Sequence, residues 1–489
     1  MKKKSSGKWR MVLFFVLLCG VVIQFIRPRL DNPAVSGDLQ APPEVKRILK
    51  RACYDCHSNE TKLAWFDRLE PAYWLVAQDV REGRKVLNFS LWDSLTKDQQ
   101  KGKLFEAFNK ITFKEMPLKQ YRLLHAGATI TGDEQAVIRD YLSTLVVPVK
   151  YPDTTRSKAA GEQYEKWIRT GMAAREVAPA PNGIAFIPDY KDWVAISATE
   201  RFDNGTLRAI LANDQALKAI REGHVNPWPD GAAFAKIAWD QSADSAGIIR
   251  PGVFKQVEFM IKDSRKYADA DGWGWARWVK GAQLAPYGKD ALFVTECMNC
   301  HKPMQDRDFV FTSPLDLSAK SDRAGDGREG EGGDAHAKVR DIYNREASLR
   351  DSSVFNPLAW KVITSFVDKN HHTMSILYGN DIAVLAARLN PGPGYPAGSV
   401  LSLVTWSRKE DRNWYGGSIP AAIQSIEKVT CEPEMLSGSR FSNGGLAKGV
   451  FASYESYAGS PLKKTDGQDS VVILKRIADL VSRRASVLP

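Results

Sequence analysis

The chain has 489 residues, of which 44% are hydrophobic and 26% charged, with a formal net charge of +11. Such a length accommodates about three domains of ordinary size, and the composition excludes a disordered chain. The basic excess forms no stripe interleaved with aromatics, which argues against nucleic-acid binding and leaves the charge a part in solubility and in steering an acidic redox partner.

Lys2, Lys3, Lys4, Lys8 and Arg10 precede an apolar run from Met11 to Ile26. The sixteen residues of that run, if helical, span about 24 Å, slightly short of a hydrocarbon core of about 30 Å. Trp9, Arg10, Arg27 and Arg29 can extend it at the interfaces. No small-residue cleavage site follows, so residues 1–30 read as an uncleaved single-pass transmembrane helix with its basic end inside; a cleaved signal peptide is the alternative. Either reading exports the remainder, which places the bulk of the chain on the periplasmic side of the inner membrane. Cys19 suggests no lipoprotein, because Leu18 stands where such signals require a small residue.

The fold class expected is multidomain α + β. Residues 40–150 carry helical patterns: segments near Tyr73–Val80 and Gln99–Ile111, and a capping box, Thr131-Gly-Asp-Glu134, ahead of Val137, Ile138, Tyr141, Leu142 and Leu145. From 151 to 315 short apolar runs broken by Gly, Pro and Asn-Gly indicate an antiparallel sheet with a few helices. Residues 316–345 are a Gly- and charge-rich linker. Residues 346–489 repeat the preceding sheet segment. Trp193-Val-Ala-Ile196 meets Trp360-Lys-Val-Ile363 at an offset of 360 − 193 = 167, and Thr206, Asn213, Pro229, Gly231 and Trp239 meet Thr373, Asn380, Pro396, Gly398 and Trp406 at the same offset. With two more residues inserted, Gln256-Val-Glu258 meets Ser425-Ile-Glu427. Two tandem sheet domains are therefore expected.

Four of the six cysteines fall in two Cys-x-x-Cys-His units, Cys53/Cys56/His57 and Cys297/Cys300/His301. Two thiols on one helical turn can add across the two vinyl groups of haem, and the adjacent histidine then meets the iron. The expectation is two covalently bound c-type haems; a four-cysteine zinc site would leave both histidines unexplained. A low-spin electron-transfer haem needs a second axial ligand. Met116, before Pro117, fits that role for the first unit, with His125 as the alternative. The second unit has no convincing Met-Pro downstream, so His301 alone would leave one iron face open for a small ligand.

The stretch from CYDCHSNETKLAWFDRLEPAYW through MPLKQYRLLHAGATITGDE resembles the small haem-binding domain of many bacterial membrane-anchored cytochromes. Residues 166–312, on the runs WPDGAAFAKIAW, VEFMIKDSRKYADADGWGWARW and CMNCHKPMQDRDFVFT together with Arg208, resemble cytochrome P-460, a hydroxylamine-oxidising c-haem family, and its sheet-type cytochrome c-prime relatives. The resemblance implies that Lys236 is bonded to a meso carbon of the haem, and that Arg208 and Glu258 are pocket residues in catalytic roles. Nitric-oxide-binding relatives lack the lysine. The duplication bears on this independently: Phe234, Lys236 and Ala238 share a strand face whose counterpart carries Leu401, Leu403 and Thr405, so Lys236 is expected to be interior and paired, neutral or covalently consumed, rather than on a solvated strand edge. Arg208 is replaced by Ser375, whereas Glu258 recurs as Glu427, which gives Glu258 a scaffold reading beside the catalytic one. The second copy lacks Cys-x-x-Cys-His and reads as haem-free, with His371 and His372 in a solvated turn. Because cytochrome P-460 forms homodimers, this copy is expected to serve as the partner half of an intramolecular pseudo-dimer. The function expected is oxidation of hydroxylamine or a similar small nitrogen compound; capture of nitric oxide without turnover and a pure electron conduit are the rivals. The electron partner is not legible.

Overall fold

A computed structural model describes residues 6–146, 152–170, 176–279, 281–317, 342–349, 354–389, 394–433, 446–467 and 469–489. The chain forms two compact units, Met1–Val147 and Pro148–Pro489. Of the linker expected at 316–345, residues 318–341 lie outside the described residues.

The first unit is helical: α1 (Ser6–Val22), α2 (Pro43–Ala52), the one-turn α3 (Tyr54–His57), α4 (Ala72–Val86), α5 (Lys97–Thr112), α6 (Lys119–Leu124) and α7 (Gly132–Thr144). Helix α2 starts on a proline, which has no N–H to leave unpaired, and ends on Lys50 and Arg51 at its negative pole. Val45, Ile48, Leu49 and Ala52 form its buried stripe, at the spacing of one helical face. The Thr131/Glu134 capping box closes the start of α7 reciprocally, and Thr96/Gln99 does the same for α5.

The N-terminal run does not form the single span expected. Helix α1 is 17 residues long and gives way at Ile23–Phe25 to one turn of 3-10 helix. No helix among the described residues is long and apolar enough to cross a membrane. Gln24 Nε2 donates to Glu70 O, Glu70 N–H donates back to Gln24 Oε1, and Trp74 Nε1 donates to Ile26 O, so the end of the run is tied to the rest of the first unit. From Met11 to Leu18 the apolar side chains of α1 stay exposed.

The second unit contains α8 (Thr154–Thr170), β1 (Val194–Arg201), β2 (Thr206–Ala212), α9 (Asp214–Glu222), β3 (Ala233–Ala243), β4 (Ile248–Lys262), β5 (Trp273–Val279), β6 (Ala285–Pro286) and α10 (Phe293–His301). Its second half repeats the order: β7 (Lys361–Asp368), β8 (Thr373–Gly379), α11 (Asp381–Leu389), β9 (Val400–Glu410), β10 (Gly417–Pro433), β11 (Val450–Ala458), β12 (Lys463–Lys464) and α12 (Ser470–Ser482). Strands run β1-β2-β3-β4-β7-β8-β9-β10, and β10 pairs back to β1, which closes an antiparallel barrel; β5-β6 extend from β4 and β11-β12 from β10.

The two copies are therefore halves of one barrel rather than two tandem domains. At one seam Glu200 faces Ser418 and Arg201 faces Gly417; at the other Val367 faces Ile249 and Asp368 faces Ile248. Adding 167 to 200 and 201 gives 367 and 368, and adding 169 to 249 and 248 gives 418 and 417, so the seams are the same contact made twice. An isolated copy would leave the end of β1 and the start of β4 unpaired on one side, and each copy covers the other's. This is the closed two-fold geometry of a dimer built within one chain.

Candidate functional site

The first Cys-x-x-Cys-His unit is a single turn, closed by His57 N–H donating to Cys53 O at 2.9 Å. His57 Nδ1 lies 3.0 Å from Gly83 O and 3.1 Å from Leu87 O on and after α4. A carbonyl oxygen only accepts, so Nδ1 carries the proton and Nε2 keeps its lone pair for iron. Burial holds His57 below its ordinary value, hence neutral, and pushes the thiols of Cys53 and Cys56 up to about 12. Among the described residues no cluster of His, Cys, Asp and Glu has the geometry to hold a metal ion by itself.

Gly83 lets α4 approach this turn. A Cβ there would stand 2.8 Å from Cys56 O and 3.3 Å from His57 Cε1. Gly83→Ala is accordingly expected to cost about 1–3 kcal/mol through overpacking, read by denaturant titration of the purified protein.

Met116 lies partly buried in the bend after α5. His125 is otherwise engaged: Nε2 lies 2.9 Å from Asp67 Oδ2, Nδ1 lies 3.1 Å from Tyr121 O, and its ring stacks on Tyr121 at 4.0 Å. Both His125 nitrogens therefore face acceptors.

The second unit ends α10. His301 Nδ1 donates to Phe309 O at 2.7 Å, which again leaves Nε2 for iron. Its ring packs on Trp275 at 4.5 Å and edge-on to Phe311 at 4.9 Å, and burial takes it down to about 4. Cys300 and His301 open onto a cavity of about 330 Å³ that Arg208, Lys236, Glu258 and Arg277 also line. Register explains that convergence. Ile210 on β2 faces Lys236 on β3, Lys236 faces Glu258 on β4, and Glu258 faces Arg277 on β5; Arg208 sits two residues from Ile210 and so on the same face.

The result is a row of alternating charge. Lys236 Nζ is 2.6 Å from Glu258 Oε2, and Arg277 Nε is 3.4 Å from Glu258 Oε1. Gln256 also donates to Glu258. Burial alone would raise Glu258, but Arg277 and Lys236 outweigh it and hold the carboxylate well below its usual range. Burial lowers Lys236 against the pull of Glu258, with Arg208 and Arg277 adding to the lowering. Burial likewise brings Arg208 down to about 9, helped by the charge of Arg201. A haem fits this surround. The attachment turn presents cysteine and histidine to the same cavity, and one lining atom, Trp275 Nε1, is buried with no hydrogen-bond partner in the protein, as suits a group bringing its own acceptors.

The lining residues not singled out from the sequence include Trp275, Arg277, Asp411 and Trp414. The first two stand at alternate positions of the apolar run WGWARW, where a lone arginine was the available signal. The other two belong to the second copy. Asp411 is pushed up to about 6 by burial.

Among the described residues, the second copy does not repeat the charged row of the first. Leu403 stands for Lys236, Ser375 for Arg208, and in strand register Ser456 for Arg277 and Tyr454 for Trp275. Helix α12 follows β12 as α10 follows β6, and packs Ile477, Leu480 and Val481 into the core that holds Leu401 and Leu403. Its Arg476 donates from Nε to Glu427 Oε2 at 2.8 Å, and Tyr454 donates to the same oxygen at 2.7 Å. The recurring glutamate thus keeps a cation in both copies. His371 is exposed and pairs with Asp368, and His372 is exposed beside it.

Residues 18–144 match the family model of the haem-binding domain, and residues 187–312 match that of cytochrome P-460. Neither match extends into the second copy. No curated protein matches the chain.

Proposed function

We propose that this chain, a haem-binding domain followed by a cytochrome P-460 domain, is an exported dihaem c-type cytochrome that oxidises hydroxylamine or a similar small nitrogen compound. The observation that carries this reading is Lys236, held 2.6 Å from Glu258 in the cavity that Cys300 and His301 line. Cys297, Cys300 and His301 would hold a haem there, which would supply a redox-active iron able to bind a small ligand. Lys236 is the nitrogen placed to bond the ring edge, as the resemblance implies. A lysine so consumed no longer carries an ammonium charge, which removes one of the three cations, Arg277, Lys236 and Arg208, that depress Glu258 and raises its proton affinity. Glu258 then accepts protons as the substrate is oxidised, and Arg208 donates hydrogen bonds to the bound ligand. Cys53, Cys56 and His57 would hold a second haem, for which Met116 could supply a further ligand, and that group would supply an electron-transfer centre toward an exported or membrane acceptor. The exposed apolar surface of α1 associates with the inner membrane and keeps the bulk of the chain in the periplasm.

Two measurements test this. The dithionite-reduced protein should show a strongly red-shifted Soret band beside that of an ordinary c haem, and anaerobic hydroxylamine should reduce an artificial acceptor over many turnovers. A normal spectrum with stoichiometric nitric oxide binding and no acceptor reduction would transfer the assignment to ligand capture. Met260 also lines the cavity, which gives the conduit reading a specific sixth ligand; a reduced spectrum indifferent to carbon monoxide would establish it instead.

A further inference from the structure

The pseudo-two-fold is broken at one turn. In the first copy β3 and β4 are joined by residues 244–247, four in number; in the second, β9 and β10 are joined by residues 411–416, six in number. That difference of 6 − 4 = 2 is the insertion that changes the offset between the copies from 167 to 169. The short turn stays at the seam, where Asn370 donates to Ala246 O. The long turn reaches further. Asn413, buried, donates from Nδ2 to Phe311 O at 2.7 Å, and the Trp414 ring meets the Phe311 ring edge-on at 5.7 Å. Phe311 in turn stands edge-on to His301 at 4.9 Å.

Trp414 is itself held from the first copy. The Arg201 guanidinium lies 4.4 Å from its ring centre, and its Nε1 donates to Asp203 Oδ2 at 3.2 Å. Arg201 also pairs with Asp203, and Gly416 O accepts from Phe202 N–H at 2.9 Å. The hairpin is therefore anchored on β1 and its continuation, and presses on the segment that follows the haem-attachment turn.

We propose that the second copy completes the haem site of the first, with Asn413 and Trp414 as positioning residues that act on His301 through Phe311. This rests on the reading of His301 as an iron ligand. Asn413 fixes the Phe311 backbone, and Trp414 limits its ring to one rotamer, so the imidazole is packed between Trp275 and a braced Phe311. Residues around a ligating histidine set its orientation and basicity, and with them the affinity of the iron for a ligand on its other face. On this reading the second copy, which carries no Cys-x-x-Cys-His unit, does more than cover strand edges.

The test uses the full-length, haem-loaded chain and carbon monoxide as the probe. Three variants are compared with the parent: Trp414→Ala, Trp414→Phe, and a swap in which residues 411–416 are replaced by the four residues Asp244–Gly247. That sequence already closes the equivalent turn in the same barrel, so the swap keeps a compatible strand register. Covalent haem content should be unchanged in all three. Trp414→Ala and the swap should change the carbon monoxide dissociation rate of the His301 haem by about tenfold and move its reduced Soret band, whereas Trp414→Phe should restore parental values. Parental kinetics and spectrum in both Trp414→Ala and the swap would overturn the proposal. Absence of covalent haem from Cys297 and Cys300 in the parent would instead strike the reading on which it rests, so the two failures are told apart.

Discussion

Glu258→Gln is expected to lower kcat for hydroxylamine oxidation by about 10²–10⁴-fold, the usual contribution of a placed proton acceptor, while leaving the red-shifted Soret band in place. Glutamine keeps the shape of the side chain and its ability to accept from Gln256, and removes only the charge and the basicity. Lys236→Ala should do the reverse to the spectrum: the red-shifted band should collapse to that of an ordinary c haem, because no other lining nitrogen stands in the place of Lys236. The pair of variants separates two roles for one salt bridge. Glu427 shows that a glutamate at this strand position also serves in the copy that lacks the lysine, held by Arg476 and Tyr454. If Glu258 were only that kind of scaffold, Glu258→Gln would leave Lys236, Arg208 and Arg277 facing one another without a counter-charge. Thermal stability would then fall while kcat in the surviving protein stayed at the parental level, and a proton-accepting role for Glu258 would be lost.

Much of this site is local in sequence, and what is local was legible. Each Cys-x-x-Cys-His unit is one helical turn, and Lys236 could be placed on an interior face by comparing Phe234, Lys236 and Ala238 with Leu401, Leu403 and Thr405. Thr131 and Glu134 announced the start of α7 because a capping box is complete within four residues. What was missed depends on pairings between distant segments. Arg277 becomes part of the site only because β5 lies on β4 in the register that sets it opposite Glu258. Closure of the barrel rests on two short seams, β1 with β10 and β4 with β7, whose strands carry no sequence mark of being edges. The two-residue insertion was visible as a change of offset, but only the seam geometry delivers Trp414 to Phe311. At the N-terminus hydropathy alone extended the apolar run to Ile26, whereas Gln24 and Trp74 tie its end to the folded unit.

The second large effect expected lies behind His301. Asp308→Ala should destabilise the barrel by about 3–5 kcal/mol, the cost of leaving one partner of a buried ion pair alone. Lys262 Nζ lies 2.7 Å from Asp308 Oδ1, and both side chains are buried. Trp273 Nε1 donates to the same oxygen at 3.2 Å, Trp228 N–H donates to Oδ2 at 2.8 Å, and Lys262 rests over the Trp273 ring. These contacts hold a turn that would not otherwise persist: Asp308 and Phe309 have φ of +49° and +66°, a region that costs residues with a side chain about 1–3 kcal/mol each. The turn aims Phe309 O at His301 Nδ1, so the ion pair on β4 and the strained backbone together set the tautomer of the proposed iron ligand. Lys262→Met should lose a comparable amount of stability. The double variant should lose less than the sum of the two, since the second substitution removes a charge already orphaned by the first. Denaturant titration of the haem-loaded protein gives the three values. Strict additivity would mean that Lys262 and Asp308 act separately, and the turn behind His301 would need another explanation for its strain.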